Sequence, residues 1–174
     1  SQAIERLAPC TAHPIAQSAT LGAGLKPGFD FVLANHVLYY VPDLQGQVSA
    51  LLEAVSPRGV FLVAIAGRTN ALVEFWLKAF EILARPLPHN VSEDVEAALR
   101  SLGVAFEREQ VPYTLRFPDS RENRLSILRF LLADYLPALP LDQMIELFDQ
   151  YRRADHIEIH TASDHYTIGA ISGT

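Results

Sequence analysis

Two unbroken apolar runs stand near the centre of the chain. Phe31 to Ala34 and Val60 to Ala66 have the composition of strands that are covered on both faces. Between them, Pro42 and Asp43 favour a helix start, and apolar residues recur at helical spacing: Leu44, Val48, Leu51, Leu52 and Val55. Strands joined by one such helix are almost always parallel with a right-handed crossover. The pattern predicts an α/β fold.

The chain after the second run predicts two more helices and a strand. Asn70 to Ala84 is apolar nearly all round, so a buried helix is expected there. Ser92 is predicted to cap the next helix, which Gly103 follows. A strand is expected from Val104 to about Phe117.

The last third of the chain has a different order of predicted elements. Two helices are predicted, near residues 120–136 and 142–153. Two alternating strands, 156–162 and 165–171, are predicted to form an antiparallel hairpin that turns at Ser163 and Asp164. The predicted architecture is one α/β domain over 1–174, with parallel central strands, an antiparallel C-terminal hairpin and helices on both faces. The domain has three parts. Residues 1–28 are the remnant of a helix and a strand followed by a loop, residues 29–103 are the βαβ core with its following helices, and residues 104–174 are a strand, two helices and the terminal hairpin.

Composition narrows the class of partner and the compartment. The formal net charge of −6 offers no basic field for phosphate backbones, so nucleic acid is not an expected partner. No apolar run approaches the roughly 18 to 20 residues that cross a bilayer, so no membrane partner is expected either. The single cysteine, Cys10, cannot form an internal disulfide. A cytoplasmic protein that binds small molecules is the expectation.

Polar side chains follow both apolar runs. Asn35 and His36 come directly after the first, and Arg68 follows the second. In open parallel sheets, ligands bind in the crevice beyond the carboxyl ends of the strands. Tyr39 and Tyr40 would extend the wall of that crevice with flat apolar faces. An imidazole there is suited to acid–base chemistry, because its pKa is near neutral.

Each of these residues also has a simpler explanation. Asparagine commonly caps turns, and tyrosines commonly pack in cores. Arg68 is more typical of a solvated residue at a helix start than of an anion clamp. It is the joint placement at the strand ends that favours a site.

Two stretches resemble a known family. FDFVLANHVLYYVPD and LLEAVSPRGVFLVAIAG resemble the fourth strand, the following helix and the fifth strand of class I S-adenosylmethionine-dependent methyltransferases. Arg58 stands where that family commonly has a second glycine in the turn. LYYV and the helix-forming stretch GRTNALVEFWLKAF are most similar to the histamine N-methyltransferase-like subfamily. The resemblance covers roughly residue 12 to the C-terminus.

The resemblance implies a partial Rossmann-like sheet, S-adenosylmethionine as cofactor and residue roles. Asn35 would contact the methionine end of the cofactor, and Ser18 and Ala19 would lie beside its adenine, although the family commonly has an acid where Ser18 stands. His36 and Tyr39 are the candidate catalytic residues. The candidate substrate-binding residues are His36, Tyr39, Tyr40 and Arg68. The implied activity is methyl transfer to a small molecule, with an amine as one candidate.

The principal cofactor-binding motifs of that family are not found in this sequence. Neither its glycine-rich loop nor its acidic residue after the second strand fits before Ala12, and the triplet Gly22-Ala23-Gly24 is typical of a turn. The expectation is therefore that N-terminal cofactor-binding strands are missing. Another copy, a partner or an N-terminal half would cover the exposed strand edge. The alternative function is that of a non-catalytic fragment or pseudoenzyme that serves as an interaction module.

The C-terminal hairpin contains a candidate metal site. His156, Glu158 and His160 alternate onto one face, and His165 could lie across from them, which is a ligand set suited to zinc. The favoured interpretation is a polar face of an edge strand, because Ile157 points to the opposite side. No metal ligand is therefore assigned.

Overall fold

A five-stranded sheet forms the centre of the computed structural model, which describes residues 27–169. The strands are β1 (Phe29–Asn35), β2 (Val55–Ile65), β3 (Glu107–Pro118), β4 (Arg152–Arg153) and β5 (His156–Gly169). Their order is β1-β2-β5-β3, with β4 beside β5. β1 and β2 are parallel, whereas β5 runs antiparallel to β2, β3 and β4. The predicted α/β fold class is confirmed. Predictions for residues 1–26 and 170–174 lie outside the described residues.

Helices cover both faces of this sheet. They are α1 (Leu44–Ala54), α2 (Ala71–Ile82), α3 (Ser92–Ser101), α4 (Arg121–Leu132) and α5 (Leu141–Glu146). On β5, Thr161 and Tyr166 point to opposite faces, because they are an odd number of residues apart. The Thr161 hydroxyl accepts a hydrogen bond from the amide of Ala71 in α2, and the Tyr166 hydroxyl lies 2.6 Å from that of Ser92 in α3. Helices on both faces were predicted and are found.

The βαβ unit forms as its apolar pattern predicts. The Asp43 carboxylate caps α1 by accepting from the amide of Gly46 at 3.1 Å. Val48 and Leu51 of the helix are buried in the hydrophobic core. Phe31 of β1 is paired with Val60 of β2, so the two apolar runs are neighbours and run the same way.

Strand β2 starts at Val55 rather than at the predicted Val60. The pairing with β1 jumps from Phe29↔Val55 to Phe31↔Val60, so residues 56–59 form an irregularity that accommodates a proline. A Cβ at Gly59 would lie 2.7 Å from the carbonyl oxygen of Phe29. Glycine is therefore required there for the two backbones to approach.

The start of α3 differs from the prediction. Ser92 is the first helical residue rather than the cap, and its hydroxyl is used in the bond to Tyr166. The orphan amide of Val91 is instead satisfied by the carboxylate of Asp94 at 2.8 Å. Gly103 follows the helix with φ +68°, as a C-terminal glycine should.

The predicted C-terminal hairpin is wrong in its turn. Residues 156–169 form one continuous strand, and Ser163 and Asp164 lie inside it, paired with Val111 and Gln110 of β3. Both are buried, and the guanidinium of Arg108 binds the Asp164 carboxylate at 3.0 Å. Two adjacent polar residues are typical of a turn, and the residues of β3 that pair with them lie far away in the sequence. Residues 156–169 instead pair antiparallel with β2, β3 and β4.

The two late helices are shorter than predicted. α4 ends at Leu132, where Ala133 takes φ +41°, and a 3-10 segment containing Pro137 follows. α5 ends at Glu146, and Arg152 and Arg153 pair with β5 instead of continuing a helix. Within the described residues, no helix is long and apolar enough to span a membrane.

A buried arginine joins these late elements. The side chain of Arg124 in α4 is 8% exposed and forms a two-bond contact with Asp119, at 2.6 and 2.9 Å. It also donates to Asp149 at 2.6 Å and to the carbonyl oxygen of Ile145. The guanidinium therefore ties the end of β3, α4 and the α5 region together, and it holds the pKa of Asp119 below its usual range.

We expect Arg124→Met to lower the free energy of unfolding by about 2 to 4 kcal/mol, because the buried Asp119 carboxylate keeps only the exposed Arg152 as a partner. Urea denaturation at pH 7 measures this. The control is Arg121→Met on the same helix, whose partner Asp142 is exposed; it should change stability by about 0.5 kcal/mol or less. Equal losses in the two variants would contradict the assignment.

Candidate functional site

The carboxyl ends of β1 and β2 meet as the sequence predicts. The His36 amide donates to the carbonyl oxygen of Ala64 at 2.8 Å, directly after the last β1–β2 pair. His36 has φ +52°, a conformation that is uncommon for a residue with a side chain. The chain thus turns sharply at the strand end.

A cavity of about 570 Å³ opens beside this turn. Its walls come from the turn after β1, the end of β2, helices α2 and α4, and strand β3. The lining residues are His36, Tyr39, Tyr40, Ala66, Asn70, Leu72, Val73, Trp76, Tyr113, Phe130 and Leu131. The volume falls in the range of small-molecule sites, and most of the lining is apolar or aromatic.

Tyr39 connects the two strand ends. Its hydroxyl accepts from the amide of Ala66 at 2.9 Å and lies 2.8 Å from Nδ1 of His36. The phenol has one proton, and among the described residues Nδ1 is the acceptor within reach. We therefore assign the proton to the Tyr39–His36 bond, which places the proton of neutral His36 on Nε2.

Burial keeps both groups of this pair uncharged near neutral pH. It raises the pKa of Tyr39 to about 12, so the phenol stays protonated. It also lowers the pKa of His36, and the charge of nearby His165 lowers that pKa further. A large part of the His36 residue is exposed, but its ring stacks on Tyr39 with centroids 5.9 Å apart. The imidazole at the cavity is therefore neutral.

An aromatic cluster forms one wall of the cavity. Tyr39 meets Trp76 edge to face at 5.2 Å, and His89 lies 4.8 Å from the rings of both Trp76 and Tyr40. The indole Nε1 of Trp76 donates to the carbonyl oxygen of Leu131 at 2.7 Å. That bond fixes the Trp76 ring and links α2 to α4.

Asn70 holds three segments together beside the cavity. Its side-chain oxygen caps α2 by accepting from Leu72, while Nδ2 donates to the hydroxyl of Tyr113 at 3.0 Å and to the carbonyl oxygen of Ala162 at 2.7 Å. The side chain is 2% exposed. Both amide protons are used within the protein.

The predicted site residues divide into three groups. His36, Tyr39 and Tyr40 lie together on the cavity wall. Asn35 is exposed at the adjacent position but is outside the lining, and the backbone of Arg68 is bound by the carboxylate of Glu93 away from the cavity. Ser18 and Ala19 lie outside the described residues. The roles assigned to all of these residues stay predictions.

Sequence reasoning missed Tyr113, Phe130 and the bridging contacts of Asn70. Tyr113 sits in a strand whose pairing partner is distant in sequence, so nothing local connects it to the site. Phe130 lies inside a predicted helix, and its 80% exposure is visible only in the structure.

The polar residues proposed as a zinc alternative do share one face of β5. Glu158 lies between two imidazoles, 3.2 Å from Nε2 of His156 and 2.8 Å from Nε2 of His160. Within residues 27–169, no group of three His, Cys, Asp or Glu side chains is arranged to hold a metal ion.

Comparison with known proteins identifies the fold. No protein-family model matches the chain, and no curated protein is similar to it in sequence. Among solved structures, the YcgJ protein of Bacillus subtilis has a TM-score of 0.54 at 13% identity, over 88% of this chain and 70% of that one. At that identity the likeness shows the fold alone.

Further structural neighbours are methyltransferases by description. A candidate methyltransferase of Bacillus halodurans has a TM-score of 0.49 at 12% identity, over 86% of this chain and 68% of its own. Phosphoethanolamine N-methyltransferase 2 of Haemonchus contortus, in complex with S-adenosyl-L-methionine, has a TM-score of 0.42 at 18% identity, over 83% of this chain and 34% of that one. The histamine N-methyltransferase-like subfamily stays a prediction.

We expect His36 to titrate below the ordinary histidine value of about 6.5 in NMR spectra. His165→Gln should raise the midpoint by removing a repelling charge, but it should stay below 6.5 because burial is the larger cause. Between the lowered folded-state pKa of His36 and pH 6.5, the unfolded chain binds more protons than the folded chain. His36 therefore lowers the free energy of unfolding as pH falls through 6.5 towards that folded-state pKa. A midpoint above 6.5 would contradict the neutral pair.

Proposed function

We propose that this protein transfers a methyl group from S-adenosylmethionine to a small molecule, for which an amine is one candidate. The observation that carries the proposal is the position of the cavity. It opens at the carboxyl ends of two parallel strands, where open α/β sheets bind their ligands. Structural neighbours that are described as methyltransferases support the same class.

The residues at the strand end fit one part of such a cofactor. The Asn35 side chain is exposed beside the cavity and has no hydrogen-bond partner among the described residues. We therefore propose that its amide binds the methionine end of the cofactor, with the cavity on the substrate side. Ser18 and Ala19 remain the proposed adenine contacts.

S-adenosylmethionine, when bound, supplies a methyl group: the substrate's lone pair forms the new bond to the methyl carbon, and the electron pair of the broken carbon–sulfur bond remains on sulfur. The protein's part is alignment and exclusion of water, which the apolar lining suits. Trp76 and Tyr39, fixed by hydrogen bonds to backbone groups, give that lining a defined shape.

His36 is proposed to contact the substrate, and Tyr39 to position His36. Because Nε2 already carries the imidazole proton, His36 is better suited to donate a hydrogen bond to the substrate than to accept its proton. The proton that an attacking N–H or O–H group loses would then pass to water. Tyr40 is proposed to contact the substrate through its exposed ring, and Arg68 to contact groups that extend beyond the cavity.

Isothermal titration with S-adenosylmethionine tests the proposal. We expect a dissociation constant in the range of about 1 to 100 μM, and a loss of about 5- to 10-fold in Asn35→Ala, which corresponds to one hydrogen bond. The control, Gln45→Ala, removes another exposed amide and should bind normally. Undetectable binding at millimolar cofactor would contradict the proposal.

The edge of β1 favours a second candidate function, that of an interaction module. Among the described strands, β1 pairs with β2 alone. Its residues Phe29, Phe31 and Leu33, which share one face of the strand, are 48%, 56% and 53% exposed. An open strand edge with apolar side chains is a template for another strand. We propose a second copy as the occupant, which two-fold symmetry would pair antiparallel to β1.

Light scattering after size exclusion distinguishes this candidate. We expect a dimer that Phe31→Lys converts to monomer, because a charge at a strand edge opposes pairing. Phe130→Lys is the matched control, since it places the same charge at an exposed phenylalanine on α4. A monomer at all concentrations would contradict the dimer and leave the edge without this role.

A further inference from the structure

The described lining of the cavity contains no ionised side chain. Among the described residues that line it there is no aspartate, glutamate, lysine or arginine. His36 is neutral at pH 7, since burial lowers its pKa, and Tyr39 is protonated. A charged ligand would therefore lose water without gaining an opposite charge, which is unfavourable.

The polar groups of the lining retain hydrogen-bond donors that no described residue uses. His36 uses Nδ1 to accept from Tyr39 and keeps the Nε2 proton. Tyr113 accepts from Nδ2 of Asn70, and among the described residues nothing accepts its own hydroxyl proton. The Asn70 amide has no proton left, because both bond within the protein. Three donors, the Nε2–H of His36 and the hydroxyls of Tyr113 and Tyr40, thus remain for a ligand.

We propose that the cavity binds an uncharged aromatic molecule that accepts a hydrogen bond from Tyr113 or His36. The aromatic wall of Tyr39, Tyr40 and Trp76 would hold its ring by edge and face contacts. This inference rests on the proposed function and narrows it. The methyl acceptor is a weakly basic ring nitrogen, an aromatic amine or a phenol, which enters without charge, rather than an aliphatic ammonium ion.

Three probes of similar shape separate the charge classes. Acetophenone is neutral with one acceptor, benzoate is an anion and phenyltrimethylammonium is a cation. Trp76 is the chain's one tryptophan and lines the cavity, so its fluorescence reports binding, with calorimetry as the second readout. We expect acetophenone to bind at least about 10-fold more tightly than either ion, a difference of roughly 1.4 kcal/mol.

A conservative variant tests the donor. Tyr113→Phe keeps the ring and removes the hydroxyl, so acetophenone should bind about 3- to 10-fold more weakly, whereas ethylbenzene, which has no acceptor, should bind unchanged. Tyr135→Phe makes the same chemical change outside the cavity lining and should alter neither affinity. Equal weakening of both probes in Tyr113→Phe would overturn the donor assignment.

The remaining outcomes are distinct. Tightest binding of phenyltrimethylammonium would overturn the inference in favour of a cation held by aromatic faces, and tightest binding of benzoate would show that the site carries positive charge. Absence of binding by all three would overturn it as well. Binding of acetophenone by a protein that shows no affinity for S-adenosylmethionine would support the ligand class and contradict the proposed function.

Discussion

The hydrogen bonds of one buried hydroxyl, that of Tyr39, organise the region on which the rest of the site depends. The hydroxyl joins the amide that follows β2 to the imidazole that follows β1, at 2.9 and 2.8 Å. Without this bridge, nothing else in the described residues would fix both the tautomer and the position of His36. The same ring packs on Trp76, so the polar bridge and the aromatic wall share one side chain.

The sheet contains a parallel pair of strands and antiparallel pairs, and the two contribute differently to the cavity. The parallel pair β1–β2 places its strand ends side by side and so creates the opening of the cavity. The antiparallel strand β3 supplies Tyr113 to the cavity lining, and its Arg108 pairs with Asp164 of β5 and with Glu96 of α3. The parallel strands thus determine where the site lies, and the antiparallel strand β3 contributes one of its walls.

The sequence predicted most where the information was local. The βαβ unit, the start of α2 and the grouping of His36 with Tyr39 follow from apolar runs, helical spacing and position after a strand. Ser163 and Asp164 were misjudged because their burial depends on Arg108, which comes far earlier in the chain. Tyr113 was missed for a similar reason. Long-range pairing leaves no mark in a short window, whereas periodicity does.

The contacts of Asn70 have a consequence for the order in which the molecule assembles. Its amide reaches Tyr113, 43 residues later, and Ala162, 92 residues later. Contacts of such sequence separation form late, because closing long loops is entropically unfavourable. On a ribosome, the βαβ unit can fold while the cavity is still open on one side. The contacts of Asn70 become complete when β5 emerges and docks.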